Sequence, residues 1–181
     1  MKKIVLKYGL YASAILVANM AIAIPLCVDG TINWGLSEVI GYTAIVLSSL
    51  MTFLGIRSYR ESHGGTITFA RAFQVGILIT LLASAAYVVT WEIIYYNFLP
   101  DFAEKYTKHT VDKLRATGAS ADAIAKAEKE GAEFAVSYKN PLINIGMTFL
   151  EVFPIGLIIT LVSAAILRRK PGPGSGELAM A

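Results

Sequence analysis

The chain has 181 residues, of which 55% are hydrophobic and only 16% are charged. Because soluble domains carry about a quarter charged residues, this composition argues against a protein that has water as its only solvent. The cations behind the net charge of +3 are divided between the ends of apolar segments and one polar segment, which indicates no nucleic-acid partner. The single cysteine, Cys27, excludes an intrachain disulfide and predicts no metal site.

Four apolar segments are each long enough to cross a hydrocarbon core of about 30 Å as a helix. We predict transmembrane helices over 4–27, 36–56, 72–99 and 142–167. The first segment follows three lysines, as a signal peptide would, but it is longer than a signal core of about 7–15 residues and three further spans follow it. We therefore expect it to be retained, in an all-α membrane protein with four transmembrane helices.

The four helices form one predicted domain, residues 1–170, and the Gly- and Pro-rich segment 171–181 is predicted to be a flexible tail. If the helices alternate in direction, nine Lys and Arg residues lie on the side of the termini and seven on the other side. No Lys or Arg occurs between Leu10 and Ile56, and a basic cluster precedes the first helix. These asymmetries predict that both termini are cytoplasmic.

A polar segment, 101–140, separates the third and fourth spans and is rich in Ala, Lys and Glu. It is interrupted by "TGAS", in which Gly118 is expected to end one helix and Ser120 to cap the next. This pattern predicts an extracytoplasmic helical hairpin. Phe134 and Tyr138 lie on a narrow apolar stripe of its second helix, so the hairpin is expected to pack on itself, on the membrane surface or on a partner that docks on these residues.

Three arginines lie near the loop between the second and third spans: Arg57, Arg60 and Arg71. Basic side chains at a membrane boundary attract anionic lipid headgroups, each by about 1 kcal/mol, so these three are candidates for headgroup contact. The alternative is a basic connector without a ligand. The intervening Gly64 and Gly65 predict a turn and no nucleotide loop, because no strand precedes them and no Gly-Lys-Ser/Thr follows.

Two carboxylates, Glu92 and Glu151, lie within the apolar segments, where ionisable residues are candidates for function. Counting about 1.5 Å per residue from Arg71 places Glu92 about 30 Å along its helix, among the aromatic residues of the outer interface. The same count back from Arg168 places Glu151 about 5 Å beneath that interface.

Asn144, Thr148 and Glu151 share one helix face by their i, i+4, i+7 spacing, and Pro154 frees a backbone carbonyl one turn earlier. Together with Glu92 on a neighbouring helix, these groups form a candidate intramembrane site for a cation or a proton. The alternative is structural. In that case Glu151 only stabilises helix packing, through a hydrogen bond to Asn19, Ser84 or Tyr87.

Three stretches, "GIRSYRESHGGTITFARAFQVGILIT", "YYNFLPDFAEKY" and "YKNPLINIGMTFLEVFPIGLIITLVSAAILRRK", resemble the bacterial membrane family called domain of unknown function 4199. The resemblance covers the chain to about Lys170. It implies a small four-helix integral membrane protein of a bacterial inner membrane, and it implies no activity.

The sequence contains neither H-E-x-x-H nor G-x-S-x-G, so we expect no enzyme and no cofactor. The first hypothesis is an interaction or accessory subunit of the inner membrane, whose partner is another membrane protein or a second copy of the chain. The alternative hypothesis is a small carrier or a cation/proton-linked sensor that uses an intramembrane carboxylate.

Overall fold

Six α-helices form the part of the chain that the structure, a computed structural model, describes, namely residues 1–28 and 30–169. In chain order they are α1 (Lys2–Val28), α2 (Trp34–Glu61), α3 (Phe69–Phe98), α4 (Phe102–Ala116), α5 (Ala121–Tyr138) and α6 (Pro141–Leu167). The predicted flexible tail, 171–181, lies outside the described residues.

Four of these helices, α1, α2, α3 and α6, are long and apolar enough to cross a membrane, with a mean hydropathy of 1.9 to 2.3 in their most apolar parts. This confirms the four predicted helices. The largest difference is at the end of α2, which continues to Glu61 rather than ending near residue 56. Helical hydrogen bonding continues beyond the apolar stretch because Arg57 and Glu61 form an i,i+4 ion pair of 2.8 Å in the last turn.

Polar side chains begin the helices, and the predicted cap at Ser120 is confirmed. The Thr68 hydroxyl accepts a hydrogen bond from the amide of Arg71, and the Ser120 hydroxyl accepts one from the amide of Ala123. Each satisfies a backbone donor that has no partner within its helix. Gly118 ends the preceding helix with a φ of 72°, a left-handed conformation that glycine adopts without steric cost.

The long helices alternate in direction, so that the start of α1 and the end of α6 lie at the same end of the molecule, here called the terminal end. Helices α2 and α3 lie in the middle, each packed against both α1 and α6. Close approach is possible where residues are small: a Cβ atom on Gly76 of α3 would lie 2.8 Å from Thr160 Cγ2 of α6. The hydroxyls of Thr80 and Thr160 lie 3.0 Å apart across the same contact.

The terminal end is held by a short backbone pairing after α6. Ile67 and Arg169 exchange two backbone hydrogen bonds, of 3.0 and 2.9 Å, between the α2–α3 loop and the residues that follow α6. Arg60 also donates to the carbonyl of Leu167 at 3.4 Å. Arg60 of α2 thus satisfies a carbonyl group at the end of α6 that helix geometry leaves free.

At the other end, here called the hairpin end, α4 and α5 form the predicted helical hairpin. They approach closely at Gly131, where a side chain would meet Thr107. Two ion pairs join them: Arg115 to Glu128 at 2.7 Å, and Lys139, just after α5, to Glu104 at 3.0 Å. The expectation that the two halves of the hairpin pack on each other is therefore confirmed.

Candidate functional site

A cavity of about 380 Å³ lies at the hairpin end, between the long helices and the hairpin. No residue of α2 from Trp34 to Thr43 is buried, and the first buried residue is Ala44. On the facing helices, by contrast, Met20 of α1 and Trp91 of α3 are buried at the same end. The volume falls within the range of about 300–1,000 Å³ usual for small-molecule sites.

Aromatic side chains make up half of the cavity lining. Eight of the sixteen lining residues are aromatic: Trp34, Tyr42, Tyr87, Trp91, Phe102, Tyr106, Phe134 and Tyr138. The remaining polar groups include two carboxylates, from Glu38 of α2 and Glu151 of α6. All six helices contribute to the lining, so the cavity depends on the docking of the hairpin on the long helices.

Glu151 lines this cavity and accepts a hydrogen bond of 3.2 Å from the hydroxyl of Tyr87 on α3. The predicted interhelical hydrogen bond is therefore confirmed, with Tyr87 as the partner. Glu151 is also an exposed residue, although it lies in an apolar helix. The structural interpretation and the binding interpretation of Glu151 are thus compatible, because one oxygen can hold Tyr87 while the group still faces open space.

Asn144 and Thr148 do not join Glu151 in the cavity. Both are buried between α6 and α3, where Asn144 Oδ1 accepts hydrogen bonds from Trp91 Nε1 at 3.1 Å and from the Thr148 hydroxyl at 3.3 Å. The indole N–H of Trp91 also points to the Tyr138 hydroxyl at 2.8 Å. The predicted polar stripe on α6 is real, but its first two members position Trp91, and only Glu151 faces the cavity.

Glu92 does not lie at the cavity. It is half-buried on α3, it does not line the cavity, and its Oε1 is a buried atom without a hydrogen-bond partner in the described residues. The neighbouring residue Trp91 takes the cavity-facing position, since successive residues on a helix point about 100° apart. Glu92 therefore does not join Glu151 in the candidate site, and the hydrogen-bond partner of Glu151 is Tyr87.

The partner-docking role expected for Tyr138 is corrected by its burial. Its side chain is 6% exposed and packs against Tyr95 and Phe102 of the same chain, while Phe134 is half-buried beside it. The apolar stripe of α5 that was predicted to bind a partner packs the hairpin against α3 instead. Burial raises the pKa of Tyr138 to about 12, so its hydroxyl keeps its proton at neutral pH.

The three arginines predicted to contact lipid, Arg57, Arg60 and Arg71, lie at the terminal end. The cavity lies at the opposite ends of the same helices. Arg57 pairs with Glu61, Arg60 donates to the end of α6, and Arg71 donates to Gln74 Oε1 at 2.9 Å. Each guanidinium therefore has a contact within the chain. Their contact with lipid headgroups stays a prediction.

Sequence reasoning missed the contribution of α2. Trp34, Glu38 and Tyr42 follow one another at intervals of four residues, and Ser37 and Gly41 lie beside them on the same face. All five line the cavity. The signal was visible as a polar and aromatic stripe at the start of an apolar span, and it includes Glu38, a second carboxylate.

The fold and the cavity define an all-α protein with four helices able to span a membrane and an aromatic, acidic cavity at one end. The chain belongs to the family described as "Protein of unknown function (DUF4199)", whose model matches residues 7–169. This confirms the family resemblance. No curated protein matches the chain, and no solved structure matches it.

Proposed function

We propose that this protein is a non-enzymatic membrane protein that binds a cation or a proton at Glu151, as a small carrier or as a sensor. One observation carries the proposal: Glu151 faces a cavity of about 380 Å³ while the Tyr87 hydroxyl holds its position. A carboxylate inside a membrane span is costly unless it has such a partner or a ligand. Glu38 adds a second negative charge to the same cavity.

The proposed location is a bacterial inner membrane, with the lipid bilayer around α1, α2, α3 and α6 and both termini in the cytoplasm. The basic cluster ahead of α1 and the absence of Lys and Arg from Tyr11 to Gly55 support this orientation. The hairpin and the cavity are then extracytoplasmic, where a ligand arrives from outside the cell. In this orientation Arg57, Arg60 and Arg71 are placed to contact anionic headgroups of the inner leaflet.

A second candidate function, that of an accessory subunit, is supported by the outer surface of the hairpin. Val136 is 75% exposed on α5, on the side away from the buried Ala135 and Tyr138. A partner membrane protein or a second copy would cover this residue rather than Phe134 or Tyr138. Photo-crosslinking in membranes from position 136, with exposed Lys126 as the control position, tests this function: equal yields at the two positions would argue against it.

Thermal unfolding of the purified protein in detergent, scanned against pH and against monovalent and divalent cations, tests the proposed cation site. Three proteins are compared: wild type, Glu151→Gln and, as a matched control on the exposed face of α5, Glu133→Gln. A ligand that binds only the folded protein at 100 times its Kd stabilises it by about 2.7 kcal/mol. The carboxamide of Glu151→Gln can still accept from Tyr87, so the baseline stability is expected to change little.

We expect at least one cation, or the proton, to raise the Tm of wild type and of Glu133→Gln and to leave Glu151→Gln unaffected. The same response in all three proteins would show that Glu151 is a structural group only. It would remove the carrier or sensor function and leave the accessory function as the remaining candidate.

A further inference from the structure

We infer that the ligand of the cavity carries an organic ammonium group, held by the carboxylates of Glu38 and Glu151 against the faces of aromatic side chains. This inference rests on the proposed function, since it names the chemical class of the cation that Glu151 binds. It follows from three features of the cavity: its aromatic walls, its charge, and the neighbouring space that opens beside it.

The aromatic side chains form a connected wall. The ring of Phe102 lies 4.7 Å from Trp91 and 6.0 Å from Trp34, measured between centroids, and Tyr106 lies 6.1 Å from Trp34. The interplanar angles of 43° to 80° turn these rings toward different directions. Ring faces attract cations within about 6 Å of their centroids, and aromatic enclosures of this kind recognise quaternary ammonium groups.

The charge of the lining favours a cation. Of the sixteen lining residues, all within the described part of the chain, two are glutamates and none is Lys or Arg. A hard metal cation needs about six oxygen ligands, whereas half of this lining is aromatic. A large, weakly hydrated cation loses less hydration on entering such a space, and its alkyl groups fit the apolar walls. The lining therefore fits an alkylammonium better than sodium or calcium.

A second cavity, of about 340 Å³, adjoins the first and shares Trp34, Trp91 and Phe102 with it. Its lining includes two cations of α4, Lys105 and Lys108, and one carboxylate, Asp112, which lies within 3.6 Å of Arg115. Lys105 pairs with Asp101 at 3.0 Å. An anionic group attached to the ammonium would meet these lysines. The ammonium itself can come from a soluble amine or from the headgroup of a zwitterionic lipid, which share this chemistry.

The test uses the full chain in nanodiscs of phosphatidylglycerol, a lipid that supplies no ammonium. Thermal unfolding is measured with tetramethylammonium chloride and with potassium chloride at equal ionic strength. We expect tetramethylammonium to stabilise the protein at a concentration at least about tenfold lower than potassium. Glu151→Gln and Glu38→Gln should each weaken the response about tenfold, and Glu133→Gln should not change it.

Tyr42 supplies the aromatic control, because it lines the cavity yet is 54% exposed on α2, so its replacement does not disturb the core. Tyr42→Leu should weaken the tetramethylammonium response several-fold, and Tyr42→Phe, which keeps the ring, should retain it. An unchanged response in Tyr42→Leu and in Glu38→Gln would overturn the inferred cage.

The outcomes separate this inference from the proposed function. If potassium and tetramethylammonium act alike and both effects require Glu151, the cation site stands and the organic ammonium ligand is excluded. If neither acts and protons also have no Glu151-dependent effect, both proposals fail.

Nanodiscs of phosphatidylcholine then identify the source of the ammonium. A headgroup ligand would already occupy the cavity and suppress the response to tetramethylammonium, whereas a soluble ligand would leave the response equal in the two lipids.

Discussion

The two ends of the long helices are built differently. Toward the terminal end, α2, α3 and α6 meet through small residues and hydroxyl groups, with Gly76 against Thr160 and Thr80 within 3.0 Å of the Thr160 hydroxyl. Toward the hairpin end, the first ten residues of α2 stay unburied and the space is lined by large aromatic rings. Small side chains allow helices to approach closely, whereas large aromatic rings require more space between them.

This difference separates structural residues from candidate functional ones. The buried apolar cluster that contains Ile45, Ile56 and Ile79 occupies the closely packed region. The second cluster, which contains Trp91 and Tyr138, fixes the hairpin and forms one wall of the cavity. Substitutions should therefore differ in kind: those in either buried cluster should lower stability, and those at exposed cavity residues such as Glu38 and Tyr42 should change binding.

Gly76→Val should have the largest effect on stability. The added Cβ would lie 2.8 Å from Thr160 Cγ2 and 2.9 Å from Ile56 Cδ1, so the helices must separate. We expect a loss of about 3 kcal/mol in the free energy of unfolding, measured by denaturant titration in detergent. Gly146→Val on α6 is the matched control, because a Cβ there meets nothing within 4 Å. Equal losses in both variants would contradict close packing at Gly76.

Trp91→Phe, at the hairpin end, should have an intermediate effect on the free energy of unfolding. It removes the N–H that serves both the Tyr138 hydroxyl and Asn144 Oδ1, at 2.8 and 3.1 Å; Asn144 Oδ1 keeps the hydrogen bond from Thr148, and the buried Tyr138 hydroxyl loses its indole donor. We expect a loss of about 1–3 kcal/mol, seen as a lower Tm and faster hydrogen exchange in α4 and α5. Tyr96→Phe, at an exposed ring on the same helix, should change neither quantity. Unchanged exchange in Trp91→Phe would show that this hydrogen bond does not hold the hairpin.

Loss of the Glu104–Lys139 ion pair should have the smallest effect on stability, because both side chains are largely exposed. The hydrogen bond from Lys139 lowers the pKa of Glu104 below its ordinary value of 4.5. The folded protein stabilises the ionised form of Glu104 more than the unfolded chain does. The ion pair therefore contributes to stability above pH 4.5, and this contribution is lost as the pH falls through the lowered pKa.

Hydrogen exchange of the hairpin amides between pH 6 and pH 3, corrected for intrinsic rates, measures this effect. Glu104→Gln should remove part of the pH dependence. Glu130→Gln, which affects a pair within α5 alone, should retain it. The same pH profile in both variants would rule out a contribution from the Glu104–Lys139 pair to hairpin closure.

Local signals in the sequence determined most of the helix architecture. Four apolar runs, the caps at Thr68 and Ser120, and the left-handed Gly118 depend on residues close together in the chain, so each is visible in a short window. The polar face of Asn144, Thr148 and Glu151 also follows from helical spacing alone. The Tyr87 partner of Glu151 was one of three possibilities, because spacing identifies a face and does not identify the neighbour that it meets.

Only the tertiary structure decided what those faces do. The hairpin folds back over the ends of the long helices and buries Tyr138, which by its stripe alone looked available to a partner. The hairpin also covers the space beside α2. Glu38 and Glu151, which are 113 positions apart in the chain, therefore line one cavity. Helix periodicity carries no information on which stretch of a helix stays unburied, and that arrangement, set by the packing of all six helices, creates the candidate site.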